Sequence, residues 1–382
     1  GIRRSSYDNK NANGETFVAT EDQDAIRLGV TYDIDGDGNR KIFASYGEYY
    51  LPIAANTNIR MAGGETYIHD FYETTADQHG SATPVFGTLV NSTVYGDGSV
   101  ADTRSTTDTS LEPMYQEEYI LGFAQTLESG FLEGFDLGIT YTSRELASTI
   151  EDVAIDAAVL AYCTANGIAG CEDDWTGFHQ YVLTNPGTDM NVYLPELSKY
   201  VTLSAADLNY PEVSRKYKAI VIALDRPFDG DWGLNASYTW SSTKGNYEGT
   251  VKSDNGQDDA GITQDFDQPG LTDGSYGYLP NHRRHLLKVF GTKSISEKLT
   301  AGMAFRVESP RKFGCIGTHP TDVFAADYGD SSWYCDGKLT PRASAFESDT
   351  IVNLDALLTY RVSDRFVFRL DVFNILNQNN VI

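Results

Sequence analysis

Three aspartates near the start of the chain have the spacing of a calcium-binding loop. Asp33, Asp35 and Asp37 alternate with other residues and are followed by Gly38 in the stretch DIDGDGN. Calcium is bound by several carboxylate oxygens from one loop, so this spacing suggests a cation site. The same residues also suit a tight turn, because Gly36 and Gly38 can adopt the positive φ that such turns require.

The segments that flank this loop favour the turn. An EF-hand loop beginning at Asp33 would need a glutamate at about its twelfth position, and Ala44 stands there, inside a predicted strand. We therefore predict a turn between two strands. A loosely held cation at the three carboxylates is the alternative, because three acidic groups lie within one short segment.

Histidine residues offer no clear metal-binding or catalytic pattern. His282 and His285 flank two arginines at the start of a strand, but metal binding needs more ligands that converge, so we interpret this pair as a polar cluster at a sheet rim. Motifs of hydrolases, zinc proteases and P-loop enzymes do not occur in the sequence. We predict no catalytic residues, no cofactor and no enzymatic activity. The six histidines are His69, His79, His179, His282, His285 and His319.

The four cysteines form two local pairs within polar segments. Cys163 lies near Cys171, and Cys315 lies near Cys335. An even number with local pairing predicts disulfides and an oxidising compartment. Free thiols and a zinc site are the alternatives, but the CxxC spacing that is typical of zinc sites is absent.

The charge and hydropathy of the chain exclude several classes of protein. The net charge is −25, which argues against a nucleic-acid partner and against docking onto an anionic membrane surface. No run approaches the ~18 apolar residues of a transmembrane helix. The 24 tyrosines and 35 glycines suit strands and turns better than helices.

Strict alternation of apolar and polar residues predicts strands. In FDLGITYT, the side chains of Phe135, Leu137, Ile139 and Tyr141 share one face, which helical periodicity would not produce. Weaker patterns and a stub at residues 1–4 bring the total to about eleven strands. The strongest segments are 135–142, 232–241, 299–307, 352–362 and 366–372, and the weaker ones are 26–34, 40–51, 113–127, 215–228 and 284–295.

Short and long connections alternate between these strands. In an up-and-down sheet, all short turns then lie on one rim and all long loops on the other, which is typical of outer-membrane barrels. We therefore predict an all-β, antiparallel up-and-down transmembrane β-barrel with long extracellular loops, because only a closed sheet or helices can pair every backbone group in lipid. The long segments are about 54–112, 149–212, 249–282 and 313–348.

The two faces of the predicted sheet have different roles. The apolar face would contact lipid, and the opposite face would line a wet or plugged lumen, where charged side chains are tolerated. Within one loop, IEDVAIDAAVLAYCTANG predicts a short helix tied by Cys163–Cys171, with Val153, Ala154, Ala157, Leu160 and Ala161 on one face. The charged side chains on the lumen face are Arg306, Asp355, Arg361, Arg369 and Asp371.

Three stretches resemble TonB-dependent outer-membrane receptors of the Oar-like subgroup, which carry a carboxypeptidase-regulatory-like domain before the plug. The stretches are RLGVTYDIDGDGNRKIFASYGEYYLPIAANTNIR, YLPNHRRHLLKVFGT and FRLDVFNILNQNN. The chain departs from the usual pattern at Ile26, where a proline is common, and at His282, where an aspartate is common.

The resemblance implies a barrel of about 22 strands around an N-terminal plug, with energy supplied by TonB. We expect residues 1–382 to be the C-terminal half of that barrel, with the plug domain and signal peptide outside the chain. The expected location is the bacterial outer membrane. The expected partners are outer-membrane lipid, the TonB complex through the plug, an unknown substrate, and a surface lipoprotein or another lid subunit. A passive porin, a structural barrel and a soluble all-β binding protein are the alternatives.

Overall fold

The computed structural model describes residues 1–74, 85–257 and 262–380, and one antiparallel sheet dominates them. Each strand of this sheet pairs with its neighbours in sequence, as the alternation predicted, and Gly277–Tyr278 adds a short strand beside β7. The successive strands are β1 (Ile2–Lys10), β2 (Thr16–Asp33), β3 (Arg40–Leu51), β4 (Met114–Leu127), β5 (Phe135–Ser148), β6 (Arg215–Arg226), β7 (Trp232–Gly245), β8 (His285–Ser296), β9 (Leu299–Glu308), β10 (Ile351–Ser363) and β11 (Phe366–Val372).

Direct cross-strand partners show which side chains share a face. Ile222 lies opposite Ile139 on one side and Tyr238 on the other, and this apolar row continues through Leu287 and Val307. Side chains alternate along each strand, so the next residue of each strand lies on the opposite face. The predicted division into an apolar face and a charged face is confirmed.

The connections are sorted by length between the two ends of the sheet. Because consecutive antiparallel strands reverse direction, the short connections 34–39, 128–134, 227–231, 297–298 and 364–365 all lie at one end. The long connections 52–113, 149–214, 246–284 and 309–350 lie at the other end, as predicted. The first connection at this end is the short segment 11–15 between β1 and β2. We therefore call the four long connections the second, third, fourth and fifth loops.

The first hairpin is longer than the alternation predicted. Residues 5–25, between the predicted stub at 1–4 and the predicted strand at 26–34, belong mostly to β1 and β2. This extension lies beyond the part of β2 that pairs with β3. Polar residues therefore occupy both of its faces, and its sequence shows no alternation of apolar and polar residues. Its tip is anchored by Phe17 and Val18, which pack with Met61 and Ala62 of the second loop.

The sheet is open at its two edges. Within the described ranges, β1 pairs only with β2, and β11 pairs only with β10. The backbone groups along the outer edges of these two strands therefore have no sheet partner among the described residues.

Regular structure also occurs in the loops, where the sequence predicted a single short helix. That helix begins at Asp156 rather than near residue 150, because Val153 and Ala154 belong to a strand that pairs with Tyr181–Thr184. None of the described helices is long and apolar enough to cross a bilayer. The described helices are Ala55–Ala62, Thr103–Thr106, Asp156–Asn166, Cys171–Asp174, Ala205–Leu208 and Val323–Ala326, with 3-10 turns at Ser253–Asn255, Gln264–Phe266 and Pro269–Thr272.

Several short strand pairs complete the loops. The hairpin of the second loop stands apart, and its side chains are largely exposed. The pairs in the third and fifth loops help to build a packed structure above the sheet. The paired strands are Thr66–Tyr72 with Leu89–Asp97, Glu151–Ala154 with Tyr181–Thr184, Met190–Leu194 with Lys199–Leu203, Lys312–Phe313 with Phe346–Glu347, and Tyr334–Cys335 with Lys338–Leu339.

The third, fourth and fifth loops pack into one unit, which we call the loop body (the described residues of 149–214, 246–284 and 309–350). Its core contains Val159, Trp175 and Val192 from the third loop and Phe266 from the fourth. Burial of such side chains contributes about 1.5–3 kcal/mol each. The loop body therefore has a buried apolar core, whereas most large side chains on the apolar face of the sheet are exposed.

Candidate ligand path and predicted site residues

Asp33 organises the turn between β2 and β3. Its Oδ1 accepts a hydrogen bond from the Gly36 amide at 3.0 Å, and its Oδ2 accepts one from the Gly38 amide at 2.7 Å. Gly36 and Gly38 have φ angles of 79° and 83°, which glycine adopts without strain. Both carboxylate oxygens of Asp33 are thus engaged by the backbone of the turn.

Asp35 and Asp37 also bond to neighbouring residues. Asp35 forms an ion pair with Arg40 at 2.7 Å, and Asp37 accepts a hydrogen bond from the Asn39 amide at 2.9 Å. In residues 1–74, 85–257 and 262–380, no group of three or more His, Cys, Asp or Glu side chains is arranged to hold a metal ion. A cation at the three aspartates stays a prediction.

Both cysteine pairs form disulfides, and both lie in the loop body. Cys163 and Cys171 join the helix Asp156–Asn166 to the helix Cys171–Asp174, with an S–S distance of 2.01 Å. Cys315 and Cys335 close a segment of the fifth loop. The structure therefore contains two covalent links at the long-loop end, and the described cysteines include no free thiol.

Removal of the first disulfide should weaken the loop body. A Cys163→Ser, Cys171→Ser double variant should lose about 2–4 kcal/mol of stability in the third loop, because the unfolded loop gains conformational freedom. Hydrogen exchange of the helix Asp156–Asn166 in detergent measures the effect. The strands β3–β5 should keep their protection, and equal loss there would contradict a local role.

The two rim histidines occupy different environments. His282 is 2% exposed and stacks on Tyr278 at 4.1 Å between ring centroids, so it is buried rather than part of an exposed polar rim. His285 lies on the apolar face and shares a hydrogen bond of 2.7 Å with the Tyr238 hydroxyl. The two rings do not form a shared metal site. His79 lies outside the described residues.

The predicted lumen residues lie on one face of β9–β11. Arg306 stands opposite Lys288 and Asn353. Asp371 stands opposite Leu357, which lies on the same face of β10, four residues beyond Asn353. Arg369 donates to the Asp371 carboxylate. Asp355 and Arg361 belong to the same face of β10 by alternation. The face carries charges of both signs, which suits a surface in contact with water or with polar protein groups.

A polar cavity of about 200 Å³ lies where the lumen face meets the loop body. Arg144 and Arg215 line it together with Tyr217, and Arg144 also pairs with Glu118. Arg215 Nη1 donates to the Glu248 carbonyl at 3.0 Å, so its guanidinium retains further donors. The site can hold a small polar or anionic group by hydrogen bonding.

A second groove of about 420 Å³ lies near the short-turn end. Phe290 is 48% exposed beside it, and Asp225 and Asp355 supply carboxylates. Gly302 and Ala304 leave room above the sheet, because their side chains are small. The lumen face thus has a cationic cavity at its upper end and an acidic, partly apolar groove at its lower end.

A buried ionic network joins the fourth and fifth loops. The side chains of Lys252, Asp265 and Arg342 are fully buried, and that of Asp254 is 7% exposed. Arg342 Nη2 donates to Asp265 Oδ2 at 2.6 Å, and Lys252 Nζ lies 3.3 Å from Asp265 Oδ1. The Trp333 ring lies against both cations, at 4.5 Å from Arg342 and 5.2 Å from Lys252.

A second buried cluster joins all three loops of the loop body. Asp152 is 6% exposed, and Tyr181 shares a hydrogen bond of 2.6 Å with Tyr328 of the fifth loop. Burial raises the pKa of Asp152 to about 7. Burial and then the nearby Asp152 raise the pKa of Asp267 well above its usual range. These carboxyl groups therefore favour their protonated forms within the folded loop body.

Sequence reasoning missed the loop body. One available signal is MNVYLPELSKYVTL, where Met190, Val192 and Leu194 alternate before a short turn and are all buried. The ionic network had no such signal, because Lys252 and Arg342 are far apart in sequence.

Comparison with known proteins places this architecture in a family. The TonB-dependent transporter Oar of Myxococcus xanthus is 27% identical over 402 residues, which cover 97% of this chain and 33% of that protein. The chain thus spans about a third of the length of this relative. The match confirms the resemblance to Oar-like receptors.

Solved structures of outer-membrane proteins align with the chain at low identity. The outer membrane transporter YddB from Escherichia coli aligns with a TM-score of 0.49 and 12% identity, over 94% of this chain and 38% of that one. The siderophore receptor PiuA from Acinetobacter baumannii aligns with a TM-score of 0.48 and 10% identity, over 94% and 32%.

The family match covers most of the sheet. Residues 7–295 match the family described as an outer membrane beta barrel domain. This range contains the strands from β2 to β7 in full, with the first connection and the second, third and fourth loops. The chain belongs to the outer membrane β-barrel family and is a protein of the bacterial outer membrane.

Proposed function

We propose that the chain is part of a TonB-dependent transporter that moves a large or scarce substrate across the outer membrane, with energy from TonB. The observation that carries this proposal is the arrangement of a packed loop body above a charged lumen face, with the cavity of Arg144 and Arg215 between them. The name of the Myxococcus relative supports the assignment to a transporter, without enzymatic activity.

The proposed architecture is the C-terminal half of a barrel of about 22 strands. The open edges of β1 and β11 support it, because each would pair with a further strand. The share of the Oar relative that the chain covers, 33%, is compatible with half of a barrel beside a plug and other domains. TonB would act through the plug, and a surface lipoprotein or another lid would cover the loops.

The proposed ligand path begins at the loop body and continues along the lumen face. A ligand would first meet the long loops, whose acidic and aromatic side chains are exposed to the outside. It would then reach the cavity of Arg144 and Arg215 and later the groove beside Phe290. Family membership removes the case for a soluble binding protein, so a passive porin or structural barrel is the competing function.

Conductance and TonB binding distinguish these functions. The complete gene product, purified and inserted into planar bilayers, should show no steady open-channel current, because a plug would fill the lumen. It should also bind the purified periplasmic domain of TonB in a surface-based binding assay. A steady ohmic current together with no TonB binding would contradict the proposal and favour a passive porin.

A further inference from the structure

Cations cluster on the lipid-facing side of the sheet, at the outer ends of β6, β7 and β8. We call Lys218, Lys244 and Arg284 the basic patch. Lys218 lies directly opposite Ser242, and Lys244 is two residues further along the same face of β7. This face is continuous with the apolar row that contains Tyr238 and Trp240. The patch is notable because the net charge of the chain is −25.

The charges of the basic patch are not neutralised by carboxylates. Within the described part of the chain, none of the three side chains forms an ion pair. Lys244 Nζ lies 4.5 Å from the centre of the Tyr278 ring, and the Arg284 guanidinium lies 5.3 Å from the same ring and 5.4 Å from Trp240. Aromatic contacts orient these cations and leave their positive charge available.

Other lysines on the same face behave differently. Lys216 lies on the same face of β6, two residues nearer the long-loop end than Lys218, and it forms an ion pair with Glu145. Lys293, at the short-turn end of the sheet, forms an ion pair with Asp231. The uncompensated charge is therefore a local property of the patch and not a general feature of the lipid-facing lysines.

The height of the patch corresponds to the headgroup layer. Tyr238 and Trp240 end the apolar face, and aromatic side chains of this kind lie at membrane interfaces. Lys244 is four residues beyond Trp240, which is about 13 Å along the strand and about 10 Å along the membrane normal for a tilted strand. Lys218 lies at about half that height, so the two ammonium groups span the polar layer above the hydrocarbon.

Acidic side chains occupy the same face of the neighbouring strands, so the basic patch is limited to β6–β8. At the level of Lys244, the same face carries Glu48, Glu117 and Glu145 on β3, β4 and β5. An anionic group would be repelled there and attracted over β6–β8. The same cations also affect a buried side chain. Burial is the main cause that lowers the pKa of His282 to about 4, and the nearby cations Arg284, Lys312 and Lys244 contribute to the shift.

We propose that the basic patch binds the phosphate headgroup of an anionic lipid in the outer leaflet, whose acyl chains lie along the apolar face below Trp240. Lysine and arginine donate charge-assisted hydrogen bonds to phosphate oxygens. The expectation from net charge, that anionic membrane surfaces are avoided, applies to the acidic loops and not to this patch. The inference goes beyond the transport proposal and requires only that the sheet spans the membrane.

Lipid binding to the delipidated full-length protein in a neutral detergent tests the proposal. The probes are a phosphatidylglycerol and a phosphatidylcholine with the same acyl chains, and bound lipid is counted by native mass spectrometry. Phosphatidylglycerol should bind at least about 10-fold more tightly, because the patch adds about three attractive charges. Equal binding of the two lipids would overturn the proposal.

A double variant, Lys218→Gln with Lys244→Gln, should weaken phosphatidylglycerol binding by about 10-fold to 30-fold. Arg284 is kept, because it donates to the Tyr278 hydroxyl and supports the local structure. The matched control is Lys293→Gln, on the same face at the opposite end, which should leave binding unchanged. An equal loss in this control would overturn the assignment to the patch.

Inorganic phosphate distinguishes a lipid site from a site for a free anion. Millimolar phosphate at constant ionic strength should displace little of the bound phosphatidylglycerol, since the acyl chains contribute most of the affinity. Complete displacement would show a free-anion site and overturn the proposal. Heat-dependent gel mobility of each variant verifies that the barrel is folded, and an unfolded double variant would be replaced by the two single variants.

Discussion

Replacement of Arg342 with methionine should open the loop body while the sheet stays intact. The substitution removes a fully buried guanidinium that donates to Asp265, and it leaves Asp254 without its cation. Breaking a buried ion pair by removing one partner costs about 3–5 kcal/mol. Lys252 still faces Asp265, which places the expected loss near the lower end of that range. Hydrogen exchange of the fourth and fifth loops measures it.

Two further variants test whether buried charge is the cause. A double variant, Arg342→Met with Asp254→Asn, should recover part of the loss, because it restores the balance between Lys252 and Asp265. Arg104→Met removes the exposed ion pair with Asp102 and should cost less than about 1 kcal/mol. Equal protection in wild type and Arg342→Met, or no recovery in the double variant, would contradict the role of the network.

The loop body should be more stable in acid than at neutral pH. The folded-state pKa of Asp152 is raised from 3.8 to about 7 by burial, so the folded loop binds this proton more tightly than the unfolded loop. The stabilisation is fully present below about pH 4 and is lost as the pH rises towards about 7. The upper limit is about 4 kcal/mol, at about 1.4 kcal/mol per unit of pKa. Near-ultraviolet circular dichroism during heating, from pH 4 to pH 8, follows the aromatic core.

Asp152→Asn supplies the matching variant. It should remove the part of the pH dependence that Asp152 contributes, while the raised pKa of Asp267 leaves a remaining dependence. It should also raise the stability of the loop body at pH 8, because the amide carries no charge to bury. Asp174→Asn changes a carboxyl group on the surface of the same loop and should leave the pH dependence unchanged. An unchanged pH profile in Asp152→Asn would show that another group controls it.

The strands that cross the membrane could be predicted from the sequence, because lipid on one side imposes alternation. The segment that begins at Phe135 was predicted to end at 142, and the strand continues to Ser148. Its last residues lie above the hydrocarbon, where Glu145 faces outward and the alternation ends. The same reason explains the missed extension of β1 and β2, whose residues meet water or other loops on both faces.

The candidate ligand path was less predictable than the sheet. Arg144 and Arg215 come from different strands, and they line one cavity only because of the register between β5 and β6. Apolar spacing predicts the helix Asp156–Asn166, but it also includes Val153 and Ala154 in that helix, because apolar residues in a short strand give the same local pattern. The partners of Lys252 are set by contacts between loops, which no local pattern contains.

The loop body also has a consequence for the order of assembly. Each strand pairs with its neighbours in sequence, so hairpins can join the sheet one after another without waiting for distant segments. The contacts of Asp265 with Arg342 and of Tyr181 with Tyr328 form only when the chain from β5 to β10 has been aligned. Closure of the loop body should therefore be a late event in biogenesis, and a barrel arrested midway would expose the apolar core residues and the unpaired charges of these loops to the outside of the cell.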